Sequence, residues 1–186
     1  PVFILDETYT GASCTEKFNR IQEAIAKNGA SAIILSALDE IAWTLNLRGN
    51  DVHCNPVFIS YLLISKEGYT LYILEEKITD EVRNYLSNHQ VNIKTYQTLA
   101  EDLRTFASEH QGVLQISPLA NEALYDLSTR YADTIVASSP VALMKAVKNE
   151  TEQAGFRKAM ERDGVALVKF LRWLKAAVPA GNESEL

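Results

Sequence analysis

Val57–Leu74 reads VFISYLLISKEGYTLYIL. Two runs rich in β-branched and aromatic residues, Val57–Ser65 and Tyr69–Leu74, flank Lys66-Glu67-Gly68, so the stretch is predicted to form a β-hairpin. Upstream, Ala30–Leu35 is a short apolar run of buried-strand type. Thr15–Lys27 sets Phe18, Ile21 and Ile25 on one helical face and stops at Asn28-Gly29, and Leu38–Leu47 has helical spacing at Leu38, Ile41, Ala42 and Leu45. Downstream, predicted helices at 80–88, 99–109 and 121–131 alternate with predicted strands at 92–96, 112–116 and 134–137. Ser139-Pro140 opens a further helix with proline at its first position. Helices alternating with short strands give an α/β domain with helices on both faces of the sheet, and the hairpin makes that sheet mixed.

From Glu150 the periodicity changes scale. Phe156, Met160, Leu167, Leu171, Leu174 and Val178 recur at spacings that describe one long amphipathic helix over residues 150–178, about 43 Å at 1.5 Å per residue. Its other face carries Arg157, Lys158, Glu161, Arg162, Asp163, Lys169 and Arg172. Such a helix either packs along one side of the domain or bridges it to a following one. The organisation expected is therefore a domain over 1–148, a long helix over 149–178 and a linker stub over 179–186. A start at Pro1 without Met, and a linker-like end, lead us to expect a piece of a longer chain.

Composition excludes several classes of function. The 186 residues carry 18 Lys+Arg against 24 Asp+Glu, a net charge of −6. A nucleic-acid binder needs a phosphate-neutralising basic face, so none is expected as a partner. The densest apolar run, Val57–Ile64, is far short of the ~20 residues of a membrane-spanning helix. Cys14 and Cys54 offer neither a disulfide framework nor a metal spacing and read as reduced thiols of a cytoplasmic protein. His53 and Cys54 are not a catalytic pair, because adjacent side chains on an extended segment point opposite ways. There is no phosphate-cradling glycine loop, no HExxH and no GxSxG. His89 and His110 are expected at the surface, near helix ends. No metal-binding or catalytic residue is expected within the chain.

The chemistry concentrates in Leu47–Pro56, a polar loop of sequence LRGNDVHCNP. Arg48 has two open readings. It can cap the preceding helix or pair with a carboxylate such as Asp51. It can also turn its guanidinium to a cleft, to meet a substrate carboxylate or peptide carbonyl. Asp39, at a helix start with Glu40, is expected to serve the helix N-terminus electrostatically.

The run LDEIAWTLNLRGNDVHCNPVFISYLLI (38–64) resembles the second, non-catalytic domain of the three-domain Xaa-Pro aminopeptidases (aminopeptidase P, of the creatinase/prolidase superfamily, peptidase family M24). Tyr9-Thr10-Gly11 with the following helix resembles the entry to that domain. Ser139–Glu150, SPVALMKAVKNE, continuing through Arg162–Ala166, resembles its exit helix. The resemblance covers essentially the whole chain. It implies a creatinase N-terminal-like fold with an RNase-H-like motif, and a long C-terminal helix leading to a catalytic domain of pita-bread type.

In that family the catalytic domain holds two divalent metals (Mn or Zn) with two Asp, one His and two Glu, and removes the N-terminal residue of peptides before proline. The family's paired aspartates lie eleven positions apart on a hairpin. Asp39 and Asp51 are twelve apart across a helix and loop and do not match, so none of the five ligands is assigned here. The resemblance thus implies a domain that shapes or gates a substrate cleft. Its partners would be its own catalytic domain, short proline-containing peptides and a second copy in a homodimer. Arg48, Asn50, Asp51 and Asn55 are the substrate-cleft candidates. The alternatives are a non-enzymatic binding module of a pseudo-peptidase, or the domain of a prolidase- or creatinase-type hydrolase.

Overall fold

The computed structural model describes residues 1–109 and 112–181. His110 and the end of the expected linker stub lie outside the described residues. The chain divides into two units, residues 1–147 and residues 148–186.

The first unit begins with β1 (Phe3–Ile4), the single-turn α1 (Glu7–Thr10) and α2 (Cys14–Lys27). A reciprocal cap opens α2: the Ser13 hydroxyl accepts the Glu16 N–H at 3.1 Å, and the Glu16 carboxylate accepts the Ser13 N–H at 2.7 Å. Two otherwise unpaired donors of the first turn are satisfied at once. Then follow β2 (Ala32–Leu35), α3 (Leu38–Leu45), β3 (Leu47–Arg48), β4 (Ser60–Ser65) and β5 (Tyr69–Ile73). The remaining elements are α4 (Asp80–Asn88), β6 (Val91–Thr95), α5 (Leu99–Glu109), β7 (Leu114–Ile116), α6 (Glu122–Tyr131), β8 (Thr134–Val136) and α7 (Pro140–Ala146).

Six strands form one sheet in the order β6-β5-β4-β2-β7-β8. β4 is antiparallel to both β2 and β5, and the other pairs are parallel, so β4 alone runs against the rest. The sheet is mixed because of the hairpin, as its sequence predicts.

Strand alternation divides the core in two. Ile33 and Leu35 of β2, Leu62 and Ile64 of β4, and Leu71 and Ile73 of β5 face one side, where they pack with Phe18, Ile21 and Ile25 of α2, Ile41 of α3, Val82 and Leu86 of α4, and Val141 of α7. Ala32, Ile34, Leu63 and Tyr72 face the other, against Leu103 and Phe106 of α5 and Leu124 of α6. Successive side chains point to opposite faces, so a central strand covered on both sides must be apolar throughout; all four residues of β2 are buried.

Several boundaries differ by one to three residues from the sequence reading, and two of the shifts have a visible cause. β4 begins at Ser60 rather than Val57, because the backbone just before it is used to fold the loop. Gly49 N–H donates to Pro56 O at 3.3 Å and Asp51 N–H to Val57 O at 3.1 Å. α3 ends at Leu45 rather than Leu47, because Asn46 adopts the left-handed conformation (φ 54°) and frees Leu47–Arg48 to pair with Phe3–Ile4. Two-residue strands such as β1 and β3 are too short for alternation to reveal.

The second unit is α8 (Glu150–Ala180), capped reciprocally by Asn149 and Glu152 and closed by Gly181 at φ 68°. It runs two residues past its predicted end, with Pro179 inside the last turn. None of its residues is buried, and Phe156, Met160, Leu167, Leu171 and Trp173 are all exposed. No helix among the described residues is long and apolar enough to cross a membrane.

Candidate functional site

The 48–59 loop is positioned from below by a buried polar knot. Lys17 of α2 is 1% exposed; its ammonium donates to Trp43 O at 2.8 Å and Asn46 Oδ1 at 2.5 Å, and lies 4.2 Å from the Trp43 ring centre. Asn46 donates from Nδ2 to Ala12 O at 2.9 Å, and Tyr85 OH donates to Leu45 O at 3.1 Å. The bonds to Trp43 O and Leu45 O occupy carbonyls at the C-terminal end of α3, and the bond to Ala12 O ties that end to the segment before α2. A buried ammonium is tolerated only when hydrogen-bonded, so the knot fixes where α3 stops and where β3 starts. Burial pushes the nearby Cys14 thiol up to about 12, although Lys17 opposes the shift. Cys14 is therefore an inert core residue, whereas Cys54 is exposed in the loop.

Arg48 ends β3 and is half-buried. Its Nη1 donates to Ala42 O and Leu47 O, both at 2.9 Å, so the capping reading of Arg48 holds. From Gly49 the chain runs out through Asn50 and Asp51, turns at residues 52–55 with Cys54 at φ 59°, and returns along Pro56 and Val57. Gly49 is required where the arms meet: a Cβ there would lie 2.7 Å from Phe58 Cβ and 3.1 Å from Val57 O. Asn50 and Asn55 are exposed on the two arms.

Asp51 behaves differently from the other three candidates. Its ion pair is with Lys77 rather than with Arg48, at 2.5 Å, and the same carboxylate oxygen accepts the Ile59 N–H at 2.7 Å. Burial raises the Asp51 carboxyl, but Lys77 and the Ile59 N–H more than offset it and hold it below the ordinary carboxylate range. Asp51 thus ties the loop to the body. Lys77, in the 3₁₀ turn Glu75–Lys77, is a residue that no motif or spacing in the sequence marks.

One guanidinium and two exposed amides on a single loop can donate to peptide carbonyls and carboxylates and accept from peptide N–H groups. His53 and Cys54 are exposed on the same loop. Among the described residues, no group of three or more His, Cys, Asp or Glu side chains could hold a metal ion. Asp39 is paired with Lys145 of α7, and Glu40 accepts a hydrogen bond from Ser139, which caps α7. Both carboxylates therefore serve the α3–α7 seam, beyond the local role expected for Asp39. His89 caps α4 half-buried, with Nδ1 3.0 Å from Thr15 Oγ1. On the other sheet face, Tyr72 and Lys94 both donate to Asp102 Oδ2, at 2.7 and 2.6 Å, a self-satisfied cluster beside a cavity of about 140 Å³.

Comparisons with known proteins place this architecture. Over 178 residues the chain is 39% identical to Xaa-Pro aminopeptidase 1 of Dictyostelium discoideum, covering 95% of this chain and 28% of that protein. It is also 39% identical over 185 residues to the "Probable Xaa-Pro aminopeptidase P" of Sordaria macrospora, covering 94% of this chain and 30% of that protein. The chain thus spans about 30% of the length of the curated relatives it matches. The X-prolyl aminopeptidase of Caenorhabditis elegans, described as a cytosolic enzyme with a di-nuclear active site, superposes with a TM-score of 0.91 at 29% identity, over 97% of this chain and 30% of that one. The prolidase of Pyrococcus horikoshii shares the fold at a TM-score of 0.56 and 18% identity, over 82% of this chain and 41% of that one. Residues 1–152 match the Creatinase/Prolidase N-terminal domain model, and the chain belongs to that family.

Proposed function

We propose that the protein carrying this chain is a metal-dependent Xaa-Pro aminopeptidase, and that residues 1–148 are its non-catalytic, cleft-shaping domain. The observation that carries this reading is identity of 39% over 94–95% of the chain with proteins named as Xaa-Pro aminopeptidases. The di-nuclear site of the C. elegans neighbour supports a two-metal centre; in this reading the metals are Mn or Zn, held in a catalytic domain reached through α8. Its cytosolic description supports a cytoplasmic location. Substrates are short proline-containing peptides, and the whole protein is a homodimer.

Within this domain, Arg48, Asn50 and Asn55 meet the substrate's backbone polar groups, and Asp51 holds their loop in place. The chain supplies orientation and access, while the metals supply the activated water. Assay of the whole protein tests this. It is expected to cleave Xaa-Pro-containing tripeptides, to spare Xaa-Ala analogues, and to lose activity on chelation and regain it with Mn²⁺ or Zn²⁺. Residues 1–181 alone are expected to cleave neither. Activity that survives chelation, or that ignores proline, would refute the reading.

A further inference from the structure

We propose that Lys77 is a positioning residue for substrate binding, joining both sides of the 48–59 loop to the body of the domain; this rests on the cleft-facing reading of that loop. Lys77 acts through two separate groups. Its ammonium bonds the Asp51 carboxylate at 2.5 Å, and that carboxylate also accepts the Ile59 N–H. One end of the tether therefore grips the outgoing arm, and the other fixes the point where the chain enters β4. The Lys77 carbonyl, in turn, accepts the Val2 N–H at 2.9 Å. Val2 leads into β1, where Phe3 is the register partner of Arg48, and the Leu5 N–H donates to Asn46 O at 2.8 Å. The side chain of Lys77 thus secures Asn50-Asp51, and its backbone secures the strand beside Arg48.

The surroundings suit a lasting tether. The side chains of Lys77 and Asp51 are each only 19% exposed, so water screens the pair less than an open surface pair. The Asp51 carboxyl lies below the usual range, so the bond persists through mildly acidic conditions. Otherwise, backbone bonds between arms 49–51 and 55–57 hold the loop. With the tether cut, the arms stay paired to each other but are less firmly fixed to the body. Looser donors bind substrate less well without altering bond cleavage, because the reacting groups lie on another domain.

The test compares Lys77→Met, which keeps the aliphatic stem, with Lys77→Arg, which keeps the charge, in the whole protein. For Lys77→Met, hydrogen–deuterium exchange of the segment 49–59 is expected to speed up. KM for an Xaa-Pro tripeptide should rise about three- to tenfold, with kcat within about twofold of wild type and an unchanged melting temperature. Lys77→Arg should restore most of the KM. Unchanged exchange in 49–59, or faster exchange with an unchanged KM, would overturn the proposal. Arg48→Ala, measured alongside, separates the two levels. If Arg48→Ala lowers kcat/KM and Lys77→Met leaves KM and kcat/KM unchanged, the positioning role alone fails. If neither changes kcat/KM, the cleft assignment fails and the positioning role with it.

Discussion

Gly49 sits where two arms of the loop approach closely, and its need for hydrogen in place of Cβ is spatial. The obstructing atoms are Phe58 Cβ and Val57 O, and Phe58 is fully buried, so neither can retreat easily. Gly49→Ala is expected to cost about 1–3 kcal/mol, the usual range for overpacking a fixed site. Denaturant unfolding should show a lower midpoint at unchanged slope, and an unchanged midpoint would mean that the arms can spread. The neighbouring Asn46 is constrained by conformation instead: it ends α3 at φ 54°, and its two amide atoms hold Lys17 and Ala12. In the sequence, Asn46 is one polar residue between two leucines. Its role depends on Lys17, 29 residues away, and no local pattern carries that information.

Most elements were legible because periodicity is local. The faces of α2 and the wholly apolar β2 follow from spacing alone, and the turn residues 66–68 made the hairpin plain. Boundaries moved where a distant partner intervened, as at α3, where β1 takes up Leu47–Arg48, and at β4, where the folded loop occupies Val57. The α3–α7 seam was hidden for the same reason: Asp39 and Lys145 are 106 residues apart. That seam has a consequence in pH. Burial raises the Glu40 carboxyl above its ordinary value, with Ser139 opposing the shift and Asp39 adding to it. A raised carboxylate pKa favours the protonated folded state, so this contribution to stability is fully present below the unfolded value and is lost as pH rises through the folded one. Glu40→Gln keeps an acceptor for Ser139 without the charge. It is expected to raise the melting temperature at pH 7.5, with the gain shrinking toward pH 4; a loss at pH 7.5 would show that the charge itself is needed.

At the scale of the whole molecule the chain has two units of different character. Its first unit builds a two-faced core and a polar loop tied down by Lys77 and Lys17, but assembles no metal-holding cluster among its described residues. Its second unit is a long capped helix with an exposed apolar stripe. Arg48, Asn50, Asp51 and Asn55 could be picked out in the sequence because polar residues between glycine and proline punctuation are conspicuous. The split between Asp51, which anchors the loop, Arg48, which caps α3, and Asn50 and Asn55, which are exposed, could not, because Lys77 and the end of α3 meet the loop from elsewhere in the chain. The most direct test of the account is kcat/KM of the whole protein for an Xaa-Pro tripeptide, wild type against Arg48→Ala. A fall of about tenfold or more is predicted, by a raised KM or a lowered kcat, in a variant that stays folded at the assay temperature although it loses the two carbonyl bonds of Arg48. An unchanged kcat/KM in a fully folded variant would contradict it.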